Sequence, residues 1–301
     1  MTTGYGQPGY ARSLAEFGEP LEFPGCGGWV LQRKIPAASV SDAMGCYPLF
    51  CCRDWTRLSG DLEEAGGRLV SLTLVTDPFG NYDESLLGRC FPDKVVAFKK
   101  HLLIDLSQPV KVSKHHRYYT RRSLQKVRVH VDERKDRFAD EWCGLYDVLI
   151  DRHKITGIRA FSRTAFAAQL ALGGMTILRA ETEGRTVGAH LWLEGPEGVA
   201  YSHLAAFNDE GYQNMASYAL YQGAIDHFTS RGFRFMDLGS DAGVSTAGGG
   251  GLGFFKRGWS NAERMVYLCG RVFDQAQYEE LAVKAGHAGS AYFPAYRAGE
   301  F

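Results

Sequence analysis

AYSHLAAFNDEGYQNMASYALYQGAIDHFTSRGFRFMDLGS, Ala200 to Ser240, changes hydrophobic period twice. Val199–Phe207 alternates and reads as a strand. Met215–Thr229 sets Tyr218, Tyr221, Ile225 and Phe228 on one side of a helix, and Arg231-Gly232 gives it a basic last turn followed by a glycine stop. Phe233–Ser240 returns to a strand pattern. Just upstream, Thr176–Thr182 and Thr186–Leu193 alternate around a Glu183-Gly184-Arg185 turn. The order from residue 175 is therefore strand, strand, strand, helix, strand, loop, strand. That is a mixed α/β plan (an α+β mixed sheet), not a doubly wound one.

Working outward, Trp29–Gln32, Leu69–Val75 and Lys99–Leu106 read as strands, the second closed by the turn Asp77-Pro78-Phe79-Gly80 and the third by Gln108-Pro109. Asp140–Lys154 and Ser162–Leu172 read as helices; in the first, Trp142, Leu145, Tyr146, Leu149 and Ile150 keep amphipathic spacing. Residues 1–25, rich in Gly, Pro and Tyr, read as a loose leader. The chain of 301 residues, 45% hydrophobic and 23% charged, is long enough for about two domains. The expected division is residues 1–139, then residues 140–270 carrying the site, then a tail of residues 271–301 that packs back on the first domain.

The formal net charge is zero, so an ionic partner has to meet a local patch. One stands out. From Lys111 to Arg128, Lys111, Lys114, Arg117, Arg121, Arg122, Lys126 and Arg128 occur with no acidic residue among them. Ser113 is a suitable N-cap, and Arg117/Arg121 and Arg122/Lys126 stack like charges at i, i+4, which costs stability and invites an anion. The bland alternative is a solvated face balanced by Asp132, Glu133 and Asp136. The seven cysteines form no CxxC pair, so buried free thiols in a reducing compartment are expected rather than disulfides or zinc. No signal peptide and no run of ~18 apolar residues is visible, which predicts a soluble cytoplasmic protein without a membrane span.

A second motif follows the Ala247–Gly250 loop: GLGFFKRGWS, Gly251 to Ser260. A solvated turn has no need of Phe254, Phe255 and Trp259, and a buried strand has no place for Lys256 and Arg257. Either the cations close a pocket on something negative, or the stretch is an edge strand with a charged rim.

The central hairpin, the Ala200–Ser240 stretch and GLGFFKRGW, with YPLFCCRDW (Tyr47–Trp55) and HHRYYTRRSLQK (His115–Lys126) before them, together resemble the Fem-type aminoacyltransferases, on the fold of the GCN5-related (GNAT) N-acyltransferases. The resemblance covers about Cys46 to Tyr267. It implies two tandem GNAT-like domains, here without the family's coiled-coil arm, and transfer of an amino acid from aminoacyl-tRNA to an amine, on a peptidoglycan precursor or on a small metabolite such as a peptide or nucleoside antibiotic intermediate. It also implies that Phe255 and Lys256 match the family's Phe-Lys pair near the reacting ester.

Aminolysis of an ester needs a neutral amine, a placed carbonyl and stabilisation of the oxyanion. Lys256 against aromatic walls fits the last role, with Phe255 and Trp259 shaping the pocket and Arg257 reaching a phosphate or solvent; the competing reading of Lys256 is a solvated edge-strand lysine. Asp237, at the end of an apolar strand, is either a proton acceptor or a turn-capping acid. Asp241, Tyr201, His203 and Tyr212 are candidate substrate contacts, with core packing as the alternative for the rings and His203. Lys114, Arg117, Arg121, Arg122 and Lys126 are the candidate tRNA contacts. Acyl-CoA enzymes of this fold hold pyrophosphate on backbone N–H groups in a Gln/Arg-x-x-Gly-x-Gly/Ala pattern at a helix start. Here Gly211 and Asn214 stand in the first and middle places, which weakens an acyl-CoA donor without excluding it. The expected donor is aminoacyl-tRNA, with no cofactor, no metal and no DNA. The alternatives are an acyl-CoA-dependent N-acyltransferase and a non-catalytic RNA or nucleotide-sugar binding module.

Overall fold

In the computed structural model, residues 3–36, 38–133, 138–240 and 251–300 are described. The chain forms two compact units, residues 1–98 with 265–301, and residues 99–264. In chain order the first passage through unit one gives α1 (Pro8–Ser13), β1 (Glu19–Phe23), β2 (Gly28–Lys34), β3 (Ser41–Gly45), α2 (Leu58–Ala65), β4 (Leu69–Val75) and α3 (Glu84–Cys90). The chain leaves this unit within β5 (Lys94–Asp105). Unit two then holds α4 (Lys114–Ser123), β6 (Arg128–Val131), α5 (Ala139–His153), α6 (Arg163–Leu170), β7 (Met175–Thr182), β8 (Arg185–Glu194), β9 (Val199–Phe207), α7 (Asp209–Gln213), α8 (Ala216–Ser230), β10 (Phe235–Asp237) and α9 (Gly251–Arg257). The chain returns within β11 (Ala262–Val272) and ends with α10 (Gln275–Lys284).

In unit one the strands run in the order β1-β2-β3-β4-β11, with β3 parallel to β4 and the other pairs antiparallel. The tail belongs to this unit: Arg297 donates to both oxygens of the fully buried Asp42, at 2.6 and 2.9 Å. The N-terminal residues are not a loose leader. Tyr10 and Leu14 are fully buried, and Tyr10 Oη donates to Tyr47 O at 2.5 Å; the Gly and Pro content there serves turns and a Pro at the first helical turn.

In unit two the order is β5-β10-β9-β8-β7-β6. The one parallel pair among these, β9 with β10, is the crossover that α8 makes. Ala216, Ala219, Leu220, Ala224, Ile225 and Phe228 of α8 pack with Leu178, Trp192, Ala200 and Met236 of the sheet in one apolar core. Small alanines let the helix lie close, and burying such side chains contributes about 25 cal/mol per Å². α4 also packs on α8, and β6 pairs with β7. The basic helix is therefore part of this unit, and the compact unit begins at Lys99, whereas the sequence reading drew the line at 139/140.

Candidate functional site

The sheet of unit two opens where β9 and β10 part. The two strands pair only over Phe235↔Val199, Met236↔Ala200 and Asp237↔Tyr201. Beyond that point the chain after β10 stays with β5: Leu238 N donates to Leu102 O and Leu102 N to Gly239 O, at 2.9 and 3.1 Å. β9 continues to Phe207 paired with β8 on its other side and carries a bulge, since Leu191 faces Leu204 while Trp192 faces Ser202. The carboxyl ends of two diverging parallel strands form the kind of crevice in which open α/β sheets bind ligands.

The candidates gather along this opening. Asp237 is 2% exposed; its Oδ1 accepts from Gly239 N at 2.8 Å and its Oδ2 lies 2.8 Å from His101 Nδ1. Asp237 thus closes the turn, as in its turn-capping reading, and also contacts an imidazole. Gly239, at φ +71, is in the left-handed region that favours glycine. A Cβ placed there would lie 3.4 Å from Lys256 Nζ, and Lys256 Nζ donates to Ser240 O at 2.6 Å. Asp237 and Lys256 therefore meet at one glycine from different elements. Asp241, the next candidate, lies outside the described residues.

Gly251–Arg257 is a helix, α9, and not the edge strand of the sequence alternatives. Its carboxyl end is clamped to the start of α4. Ser113 N donates to Gly258 O at 3.0 Å, and His116 Nε2 donates to Phe255 O at 2.8 Å. Ser113 caps α4 through Oγ, as expected, and faces His116 Nδ1 at 2.8 Å. Both ring nitrogens of the buried His116 are thus engaged, and burial lowers its pKa from the ordinary value, against the Phe255 bond that raises it. Phe255 meets the Tyr218 and Tyr221 rings edge-on at 5.0 and 4.9 Å. Trp259, fully buried, stacks on Tyr221 at 5.6 Å. Phe255 and Trp259 thus anchor α9 on α8 and aim Lys256 at the Gly239 turn, while Arg257 is exposed.

Beneath them lies a polar group that sequence reading did not find. His190 Nε2 sits 2.8 Å from Ser202 Oγ, and its Nδ1 is buried without a hydrogen-bond partner among the described residues. Its pKa is pushed down to about 3, by burial first and by the charge of Lys256 second. The Tyr221 hydroxyl, raised by burial, also bonds Ser202.

Three candidates sit elsewhere. His203, whose pKa burial pushes down to about 3, has Nε2 3.1 Å from Gln169 Oε1 on α6. Tyr201 is 1% exposed, with its ring against Gly195 at the hairpin end. Tyr212 lies under the Arg152 guanidinium at 4.0 Å. All three fit their packing alternative. Among the described residues no cluster of His, Cys, Asp or Glu is arranged to hold a metal, and no helix is long and apolar enough to cross a membrane.

Lys111, Lys114, Arg117, Arg121, Arg122, Lys126 and Arg128 are all exposed. None of them forms an ion pair with a described residue; Arg117 donates to Val112 O at 2.8 Å. Of the acids named as counterweights, Asp132 holds Arg179 at 3.0 Å, Glu133 is exposed, and Asp136 lies outside the described residues.

Residues 111–250 match the acetyltransferase (GNAT) domain. No curated protein matches the chain at a significant level. Among solved structures, FemX superposes over 92% of this chain and 94% of its own, with TM-score 0.69 and 11% identity. L-PGS from Bacillus licheniformis covers 88% of this chain and 92% of its own, at 0.61 and 16%. The C-terminal domain of a putative lysylphosphatidylglycerol synthetase from Agrobacterium fabrum covers 92% and 90%, at 0.63 and 15%. The Fem-type resemblance read from Cys46 to Tyr267 is met at the level of architecture: this chain has the mixed α/β, tandem GNAT-like fold of FemX and of the synthetase domains, with an acetyltransferase (GNAT) domain over residues 111–250.

Proposed function

We propose that the chain is an aminoacyltransferase that moves an amino acid from aminoacyl-tRNA to an amine of a small acceptor, a peptide or nucleoside antibiotic intermediate or a peptidoglycan precursor, forming an amide. The observation that carries this reading is the run of exposed cations on α4, without ion pairs among the described residues, which is clamped through Ser113 and His116 to the helix bearing Lys256. A phosphate-binding face and a cation aimed at a strand-end crevice then belong to one substructure.

In this reading the acceptor amine attacks the ester carbonyl and the ribose oxygen leaves. Lys256 lowers the energy of the oxyanion and of the leaving oxygen, as preorganised charge does in a water-poor site. Asp237 fixes Nδ1–H of His101, which leaves Nε2 as the ring's acceptor for the amine proton. Phe255 keeps Lys256 in place. The crevice holds the two reactants in line, and positioning supplies much of the rate because the ester is already activated.

An acyl-CoA donor is the second reading, favoured by the acetyltransferase domain match. The backbone around the cradle positions argues against it. Gly211 N donates to Asn208 Oδ1, Tyr212 N to Asn208 O, Asn214 N to Glu210 O and Met215 N to Tyr212 O. Those N–H groups are spent within α7 and its cap. Gly211 also has a packing reason: a Cβ there would lie 2.0 Å from Val187 O.

The test is transfer of radiolabel from a total charged tRNA pool to a panel of amines, beside an acetyl-CoA reaction. Label on the acceptor that RNase abolishes supports the proposal and identifies the amino acid. Turnover with acetyl-CoA alone overturns it.

A further inference from the structure

Two of the most exposed aromatic rings of the chain lie in this same substructure. Tyr118 on α4 is 59% exposed and Phe254 on α9 is 56% exposed. A helix places Tyr118 four residues after Lys114 and three and four before Arg121 and Arg122, so ring and cations share one face. His115 joins the two helices: its ring meets Phe254 edge-on at 5.5 Å and lies 4.6 Å from Tyr119. Exposed rings joined through His115 and set beside cations that no described residue neutralises suit a partner that offers both flat π-faces and negative charge.

We infer that Tyr118 and Phe254 are a stacking platform for the unpaired 3′-terminal nucleotides of an RNA, with Lys114, Arg121 and Arg122 on its phosphates. The inference rests on the transfer reading and adds to it which part of the RNA is held, and how. Aromatic rings among cations along a groove are how proteins hold single strands, because every base has a π-face. A duplex offers no such faces along its length; its grooves are read through shape and 2′-hydroxyls. An anionic lipid surface fits less well. A helix lying in that interface needs an apolar stripe along its length, whereas α4 offers solvent one tyrosine amid Lys114, Arg117, Arg121 and Arg122. Polarity follows from the transfer reading: the ester sits on the terminal ribose, so the strand held beside α9 presents its 3′ end.

The experiment measures binding of a fluorescein-labelled ten-nucleotide RNA ending in CCA-3′ to the full chain, across a salt series, beside a blunt RNA duplex and vesicles containing phosphatidylglycerol. Tyr118→Ala and Phe254→Ala are each expected to weaken the single strand about 5- to 140-fold, the range for loss of one base–aromatic stack, with the salt slope unchanged. Arg121→Gln with Arg122→Gln is expected to reduce the slope by about 1.4, as for two contacts to a single strand. The inference is overturned if the alanine variants bind the single strand like wild type, if the duplex binds as tightly, or if only vesicles bind. Transfer assays on the same variants separate the two claims. Single-strand binding that needs both rings, without transfer from charged tRNA, keeps the platform and removes the transfer reading. Transfer that is indifferent to both rings does the reverse.

Discussion

His101 and Asp237 face each other diagonally across two antiparallel strands, Nδ1 to Oδ2 at 2.8 Å, although 136 residues separate them in sequence. The register sets Asp237 opposite Leu103, and His101, two residues earlier, points to the same face, as diagonal pairs do. If Asp237 orients a catalytic imidazole, Asp237→Asn and His101→Gln lower kcat by about 10²–10⁴ while KM changes little. If Asp237 only closes the Gly239 turn, Asp237→Asn lowers the melting temperature and leaves kcat within a few-fold. Steady-state kinetics beside thermal unfolding of the same samples decides between them.

Lys256 donates to Ser240 O and its charge acts on the buried His190. Its replacement tests charge against mere anchoring. Lys256→Met keeps the stem and removes the cation, and the expected loss is about 10²–10³ in kcat, as for deletion of one oxyanion-stabilising donor. Lys256→Arg keeps charge but widens the head group and restores part of that loss. Equal behaviour of the two variants would mean that Lys256 is an anchor for the turn and not an electrostatic group.

The acid side of the stability profile carries the signature of the buried imidazoles. Burial holds the pKa values of His190 and His203 down to about 3, against about 6.5 for a free imidazole. Between those values the unfolded chain binds more protons than the folded one. Stability from these groups is therefore complete above about pH 6.5 and is lost as pH falls toward 3, by up to about 1.4 kcal/mol per pH unit for each histidine. Urea unfolding of wild type and His203→Gln from pH 7.5 to 5 checks this. The variant's curve is expected to be flatter by one proton, and parallel curves would refute the assignment.

How much of this was legible beforehand differs by element. Local pattern marks β4, β9, α5 and α8 almost to the residue, because each has a sustained apolar signal and a clear stop. α9 was mistaken for an extended segment. Two adjacent aromatics followed by two cations fit either period, and the helix depends on contacts with His116 and Tyr221, more than a hundred and some thirty residues earlier. Asp237 and Lys256 were visible as residue types at an element's end. His101 and His190 were not, since their roles come from strand pairing that no local pattern encodes. The Lys111–Arg128 run was the easiest part to read, because missing acids are a property of composition.

Gly258 is the residue that makes the α4–α9 clamp possible. A Cβ there would lie 2.0 Å from the His116 ring, whose two nitrogens are committed to Ser113 and Phe255. Gly258→Ala therefore forces the ring or the end of α9 to move, at an expected cost of about 1–3 kcal/mol for overpacking, and it draws Lys256 away from the Gly239 turn. Transfer is expected to fall more than the stability loss alone accounts for. His116→Ala makes room for the methyl group, so Gly258→Ala in that background should cost less than in wild type. A double-mutant cycle on stability, with kcat measured on all four proteins, reads the coupling directly. Additive effects would show that the two residues do not share a contact that matters, and that α9 is held by the Ser113–Gly258 bond and the packing of Phe255 and Trp259.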